Sequence, residues 1–360
     1  MKINDDSLLR NTNNFDFLRF LAASFVLIGH TPALLDSTPF ANDPFQLLFD
    51  IPIRTVGVFI FFTISGFLVT KSWESKKSVS DFFIARVLRI FPALIIVIFI
   101  SIFILGPILS SLSLTSYFSS LTTYKYLLNT SLYRMYYALP GVFDSNPYGN
   151  SVNGSLWTLS YEFTCYIVLF IVGILNVLKY KWLGLSLLIL TLLLFFLYKN
   201  EIETFLPIVP ILGIHTSKLI TFLLYFFTGS IFYQFRNEIS FNWLGITIGL
   251  ICTLLIKMNV LPHLLLTAIL PYFIFFFAFS KNIKLTKFGK FGDFSYGMYL
   301  YAFPIQQTMI SIIPINANSW ITIFLFFLFI IPIAFLSWRY IEKPALAMRF
   351  KIFRKMKSIR

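Results

Sequence analysis

Ten mostly apolar stretches dominate this chain, near 15–35, 55–73, 91–114, 155–178, 182–198, 218–235, 243–257, 262–280, 294–313 and 318–338. A helix of about 20 such residues crosses a hydrocarbon layer ~30 Å thick. Within lipid only helices and closed barrels satisfy every backbone polar group. The pattern predicts an all-α fold, a polytopic membrane helix bundle of about ten transmembrane helices. Composition agrees: 58% of the 360 residues are hydrophobic, 45 are Phe and 12% are charged. A soluble protein would carry about twice that charged share, and a chain so poor in polar surface needs lipid as its solvent.

The net charge of +14 and pI of 9.7 do not indicate nucleic acid, because no soluble basic domain carries the charge. Basic residues of membrane proteins gather in cytoplasmic loops. With both termini inside, only Arg54, Lys125, Arg134, Lys199, Lys218 and Lys257 of the 29 Lys and Arg fall outside. The densest clusters, Lys71 to Arg89, Lys281 to Lys290 and Arg339 to Arg360, then all face the cytoplasm. Residues 1–345 read as the integral-membrane domain and 346–360 as a basic cytoplasmic tail. No small-residue cleavage site follows the first apolar run, which reads as an uncleaved anchor. Cys165 and Cys252 lie in apolar runs and read as small core residues, with no metal site indicated.

Ionisable side chains inside a bilayer are costly, so each is a functional candidate. The first helix carries Asp16, Arg19 and His30. Eleven residues separate Arg19 from His30, which is three turns plus roughly 20° and a rise of about 16 Å, so both face one way. Arg19 reads either as a snorkelling anchor at the inner surface or as part of a site. His30 sits in an otherwise apolar helix, and an imidazole is the usual acceptor of a hydroxyl proton. The fourth helix adds Glu162, at a depth similar to that of His30. A carboxylate there either orients an imidazole or makes a packing hydrogen bond. Arg86 and Arg89, just before the third apolar run, form a guanidinium pair suited to phosphate. Ordinary positive-inside charge is the plainer reading of that pair. His215 and His263 read as surface residues.

Taken together these segments resemble the acyltransferase type 3 family, membrane acyltransferases that include O-antigen acetylases. Asp16-Phe-Leu-Arg19 through His30 is similar to its Arg-x10-His signature with a preceding Asp. Gly57-Val-Phe-Ile-Phe-Phe-Thr-Ile-Ser65-Gly66-Phe67 resembles its second-helix motif, and Arg86-Val-Leu-Arg89 its Arg-x-x-Arg loop. Ser155-Leu-Trp157-Thr-Leu-Ser-Tyr-Glu162 is similar to its Leu-Trp-Ser-Leu-x-x-Glu segment. Phe294-Ser295-Tyr296-Gly297-Met298-Tyr299-Leu300 and Tyr340-Ile341-Glu342-Lys343-Pro344 follow in the family's order. One departure is visible: many members carry a His between the ninth-helix Leu and Pro, where this chain has Tyr301-Ala302-Phe303-Pro304. Larger members add a C-terminal hydrolase-like domain, which is not expected after Pro344.

The resemblance implies transfer of an acyl group, usually acetyl from acetyl-CoA as co-substrate, to a carbohydrate hydroxyl at a bacterial inner membrane. No bound cofactor is implied. His30 is then the catalytic base, with Glu162 and Arg19 beside it in the catalytic set. Arg86, Arg89 and Arg19 would hold acyl-CoA phosphates, and Asp16, Ser65, Trp157 and Tyr299 would support them. Direct transfer and an acetyl-histidine relay both fit. The loop near 115–154 holds seven of the 18 Tyr; it reads as an interfacial belt or as a sugar-stacking surface. The acceptor is a polysaccharide or a lipid-linked glycan, and self-association into a homo-oligomer is open. A secondary transporter exporting a glycan or glycolipid is the rival, although the chain lacks the inverted halves common in that class.

Overall fold

The computed structural model describes residues 3, 5–9, 12–36, 43–75, 78–197, 206–255, 261–280, 282–313 and 320–358. A helix lies on each apolar stretch: α1 (Phe15–Asp36), α2 (Ile53–Glu74), α3 (Val79–Ile100), α4 (Trp157–Ile174) and α5 (Lys181–Leu197). These are followed by α6 (Thr216–Gln234), α7 (Trp243–Leu255), α8 (Leu261–Phe279), α9 (Ser295–Ile312) and α10 (Trp320–Ser337), and then by α11 (Lys343–Ser358). Lys199, Lys257 and the side chains of Cys252 and His263 lie outside the described residues.

The chain is a helical membrane protein. Among the described residues, five segments are long and apolar enough to cross a bilayer: Phe15–Leu35, Ile53–Glu74, Val79–Leu109, Trp157–Ile174 and Trp320–Arg349. The other helices on the apolar stretches do not meet that test: α7 has 13 residues, and α9 carries Gln306, Gln307 and Thr308. Exposed Trp320, Ile321, Phe324 and Leu328 on α10, and Leu190, Leu193 and Leu197 on α5, give these helices apolar outer faces. Water would drive such surfaces together; hydrocarbon does not. The strands among the described residues form one antiparallel hairpin, Ile208–Val209 against Ile214–His215, a small departure from an all-α fold. His215, at its end, is exposed.

Helix α3 starts at Val79, well before the apolar stretch. Ser78 caps it by accepting from the Asp81 N–H at 3.0 Å, which satisfies one orphan donor of the first turn. The basic segment containing Arg86 and Arg89 is therefore helical.

The chain forms two compact units. The first comprises residues 1–22, 42–76 and 161–293. Its centre is the crossing of α2 with α6, where two glycines face the opposite backbone. A Cβ at Gly66 would overlap the Phe226 carbonyl, and one at Gly229 the Thr63 carbonyl. Lipid offers helices no hydrophobic drive toward each other, so close backbone approach at small residues supplies the attraction. Phe59 stacks on Tyr225 at 3.9 Å, and Phe62 on Phe222 at 4.4 Å. Phe15, Phe67 and Phe279 close one end. Buried Cys165 also lies in this unit.

The second unit comprises residues 23–41, 77–160 and 294–360. It contains two π-turns, Ser101–Leu105 and Trp338–Glu342. Both stand two residues ahead of a proline, Pro107 and Pro344. The residue between donates five residues back, Gly106 to the Ser101 carbonyl and Lys343 to the Trp338 carbonyl. A proline ring clashes with the carbonyl four residues before it, and the wider turn makes room for it. Tyr117 donates to the Ile102 carbonyl at 2.9 Å within the first π-turn.

Gly229→Val is expected to cost ~1–3 kcal/mol through overpacking against a carbonyl that cannot retreat. Gly149→Ala, whose Cβ meets nothing nearer than 3.6 Å, should leave stability near wild type. Thermal unfolding midpoints of the two detergent-purified variants check this.

Candidate functional site

His30 lies toward the C-terminal end of α1, and the helix is unbroken back to Arg19. The shared face and the rise of about 16 Å follow from that continuity. His30 Nδ1 lies 2.8 Å from the Val26 carbonyl oxygen. A carbonyl can only accept, so the proton of this bond sits on Nδ1, and the neutral ring has Nε2 as its acceptor. One ring nitrogen is thus committed to the helix and the other is set up to take a proton. The Phe303 ring meets the imidazole edge-on, centroids 5.8 Å apart. Buried Gln306 donates to Thr31 Oγ1 at 2.9 Å and to the Leu27 carbonyl at 3.3 Å, fixing α9 against this part of α1. Phe303 therefore stands beside the imidazole, close to where many family members carry a second His.

Arg19 is ion-paired rather than a bare snorkelling anchor. Its Nη1 lies 2.8 Å from Oδ2 of Asp293, whose side chain is 5% exposed. Burial makes such a pair expensive to break from one side. Asp16, one turn earlier, puts a carboxylate oxygen close to where a Cβ at Gly289 would fall, so a side chain there would have to displace the Asp16 carboxylate.

Arg89 and Arg86 sit one turn apart on α3 but have different surroundings. Arg89 faces Glu342 at 3.7 Å and covers the Tyr296 ring at 5.4 Å. Glu342 is 2% exposed and accepts from Ser337 Oγ at 3.1 Å. It is the last residue of the second π-turn. Tyr296 in turn donates to the Ile90 carbonyl at 2.8 Å. A Cβ at Gly297 would lie 3.0 Å from the Ala334 carbonyl and 3.2 Å from a Glu342 oxygen. Three motifs far apart in the chain, containing Arg89, Tyr296-Gly297 and Glu342, are thus one cluster. Arg86 lies over the Phe82 ring at 4.9 Å. Arg349 of α11 grips Asp81 with two bonds of 2.8 and 2.7 Å, a fork-to-fork pair that ties the basic tail to the start of α3.

Glu162 accepts from Tyr166 and, at 3.5 Å, from Ser65 on α2, so it and Ser65 belong to one polar group. Tyr299 donates to the Ser155 carbonyl at 2.5 Å; its single proton is then used, so Thr158 donates to the Tyr299 oxygen. That pair holds the start of α4, where Trp157 stands, against α9.

Asp293 and Glu342 are the partners that sequence reading missed as site residues. A signal existed: each is an acidic residue beside a helix end, Glu342 within a recognised motif and Asp293 directly before one.

A profile of the acyltransferase domain family matches residues 12–339. The chain is 29% identical over 340 residues to the "O-acetyl transferase" of Shigella phage Sf6, covering 93% of this chain and 96% of that one. It is 27% identical over 380 residues to "Nodulation protein 10" of Rhizobium leguminosarum bv. viciae, covering 96% of each. A shorter match, 33% over 126 residues, reaches the "Regulator of hypoxia-inducible factor 1" of Caenorhabditis elegans and covers 30% of this chain and 24% of that one. No solved structure matches.

Removing one partner of the Arg19–Asp293 pair should cost ~3–5 kcal/mol. Arg19→Gln and Asp293→Asn together should cost less than the sum of the two alone, by roughly 0.5–3 kcal/mol. A double-mutant cycle on thermal midpoints in detergent measures the difference.

Proposed function

The chain belongs to the acyltransferase type 3 family, and on that premise we propose that it moves an acetyl group from cytosolic acetyl-CoA across the bilayer to a carbohydrate hydroxyl. All ten apolar helices span the membrane in this reading, with both termini in the cytosol and the protein in a bacterial inner membrane. The acceptor is a cell-surface polysaccharide or its lipid-linked precursor. What supports the reading most is His30, whose Nδ1–H is engaged by the Val26 carbonyl and whose Nε2 is thereby the basic nitrogen. The similarity to an O-acetyl transferase along nearly the whole chain supports the same group transfer.

In this reading Arg86, Arg89 and Arg19 take the nucleotide phosphates, and the pantetheine arm extends toward His30. Arg89 takes part while shared with Glu342. About 16 Å of helix separates Arg19 from His30, which suits an extended arm. The sugar hydroxyl oxygen attacks the thioester carbonyl carbon as its proton passes to His30 Nε2. The carbon–sulfur bond then breaks, and the departing thiolate takes that proton from the imidazolium. Glu162 balances the imidazolium charge. Asp16, Ser65, Trp157 and Tyr299 hold these groups in place.

Deleting a general base costs typically 10²–10⁴ in rate. His30→Ala should lower acetyl transfer from labelled acetyl-CoA by about that factor while the protein stays in the membrane; near-normal transfer would sink the mechanism. Arg86→Ala should raise the KM for acetyl-CoA by about 10-fold, a loss of roughly 1.4 kcal/mol in donor binding. Unchanged donor affinity would refute the phosphate role.

A further inference from the structure

The segment from Tyr136 to Ser155 lies against α9 and is pinned there by buried amides. Gln307, fully buried, donates to the Ser151 carbonyl at 2.9 Å and to the Tyr148 carbonyl at 3.1 Å. Its own carbonyls accept from Asn146 at 2.9 and 3.0 Å. Asn153 donates to the Leu300 carbonyl at 2.9 Å, and Val152 N–H to the Tyr137 carbonyl at 2.7 Å. A buried network with its donors and acceptors used in this way holds one backbone position. An interfacial belt of tyrosines needs no such fixing, because rings at the headgroup level work on any backbone.

What the network fixes is the distance from the base. A Cβ at Gly154 would lie 2.7 Å from the Phe303 ring, so the segment rests directly on that ring. Phe303 meets His30 edge-on at 5.8 Å and Tyr148 edge-on at 6.1 Å. Tyr148 and His30 therefore flank one aromatic ring. Tyr148 is 43% exposed and Tyr137 41% exposed. Burial and then the charge of the Tyr148 phenol push the Tyr137 phenol above its ordinary range. Exposed Asp144 and Asn150 supply polar atoms on the same segment. Partly open rings on a segment that also exposes polar side chains suit a ligand with one apolar face and a polar rim. A pyranose has that form, with its axial C–H bonds on one face and its hydroxyls around the edge.

Resting on the acyl-transfer reading above, we propose that Tyr148 and Tyr137 are the platform on which a pyranose ring of the acceptor stacks, presenting its hydroxyl past Phe303 to His30. The platform selects for a ring with an apolar face, which makes Tyr148 a specificity-determining residue. The experiment uses full-length protein in detergent and oligosaccharide fragments of the surface polysaccharide of the cell that carries it, stripped of acyl groups with mild alkali. Calorimetric titration of the fragments compares wild type with Tyr148→Phe, Tyr148→Leu and Tyr137→Leu. Lipid accepts Leu as readily as Tyr, whereas a sugar face needs the ring. Both Leu variants should bind fragments about 10-fold more weakly, and Tyr148→Phe within about threefold of wild type. Leu variants that bind like wild type, or a wild type that binds no fragment, would overturn the platform. Wild type that binds fragments but transfers no acetyl from acetyl-CoA would leave the platform standing and sink the acyl-transfer reading instead.

Discussion

Lipid accepts no hydrogen bonds, so a charged side chain among these helices has to find its counter-charge inside the protein. Three of the described ion pairs show it. Arg19 meets Asp293, Arg89 meets Glu342, and Arg349 meets Asp81. In these three the carboxylate is the more deeply buried partner, 5%, 2% and 7% exposed against 20%, 21% and 29% for the guanidinium, whereas Asp5 and Glu238 pair at the surface with Arg236 and Lys181. A guanidinium has a long stem, is weakly hydrated, and can keep part of its fork toward a polar region while committing the rest. The carboxylate has no such reach, so it is placed first and the arginine comes to it.

The same economy governs the backbone. Two prolines that would otherwise leave strained carbonyls are each preceded by a π-turn, and each turn does a second job. The first turn carries the Ile102 carbonyl that receives Tyr117, and burial pushes that phenol up to about 12. The second ends on Glu342, which faces Arg89. Widened turns often accompany functional positions because they redirect one side chain without ending the helix. Glycine serves the complementary need: at Gly66 and Gly229 two helices come closer than any side chain permits.

His30 is held by other means. Its ring is oriented by a carbonyl of its own helix, which fixes the proton on Nδ1. Its flank is closed by Phe303, and that stretch of α1 is held to α9 by Gln306. A family pattern with a second His near residue 303 would place two imidazoles close together. Here an aromatic ring takes that place beside the imidazole.

Much of this was legible in the chain alone. Periodic apolar runs located a helix on every predicted stretch because lipid leaves no other way to satisfy a backbone. The eleven-residue spacing put Arg19 and His30 on one face because helix geometry is fixed by the backbone. The motifs identified the family. Hydropathy could not see that α3 begins at Val79, since a capped, basic helix start looks like a loop when only apolarity is counted. Nor could it name Asp293, Glu342 or Phe303 as partners, because each is met from a segment distant in sequence. Local pattern determined the helices and the faces they present. Which buried charge answers which, and which ring lies beside the imidazole, depended on long-range packing that no local period encodes.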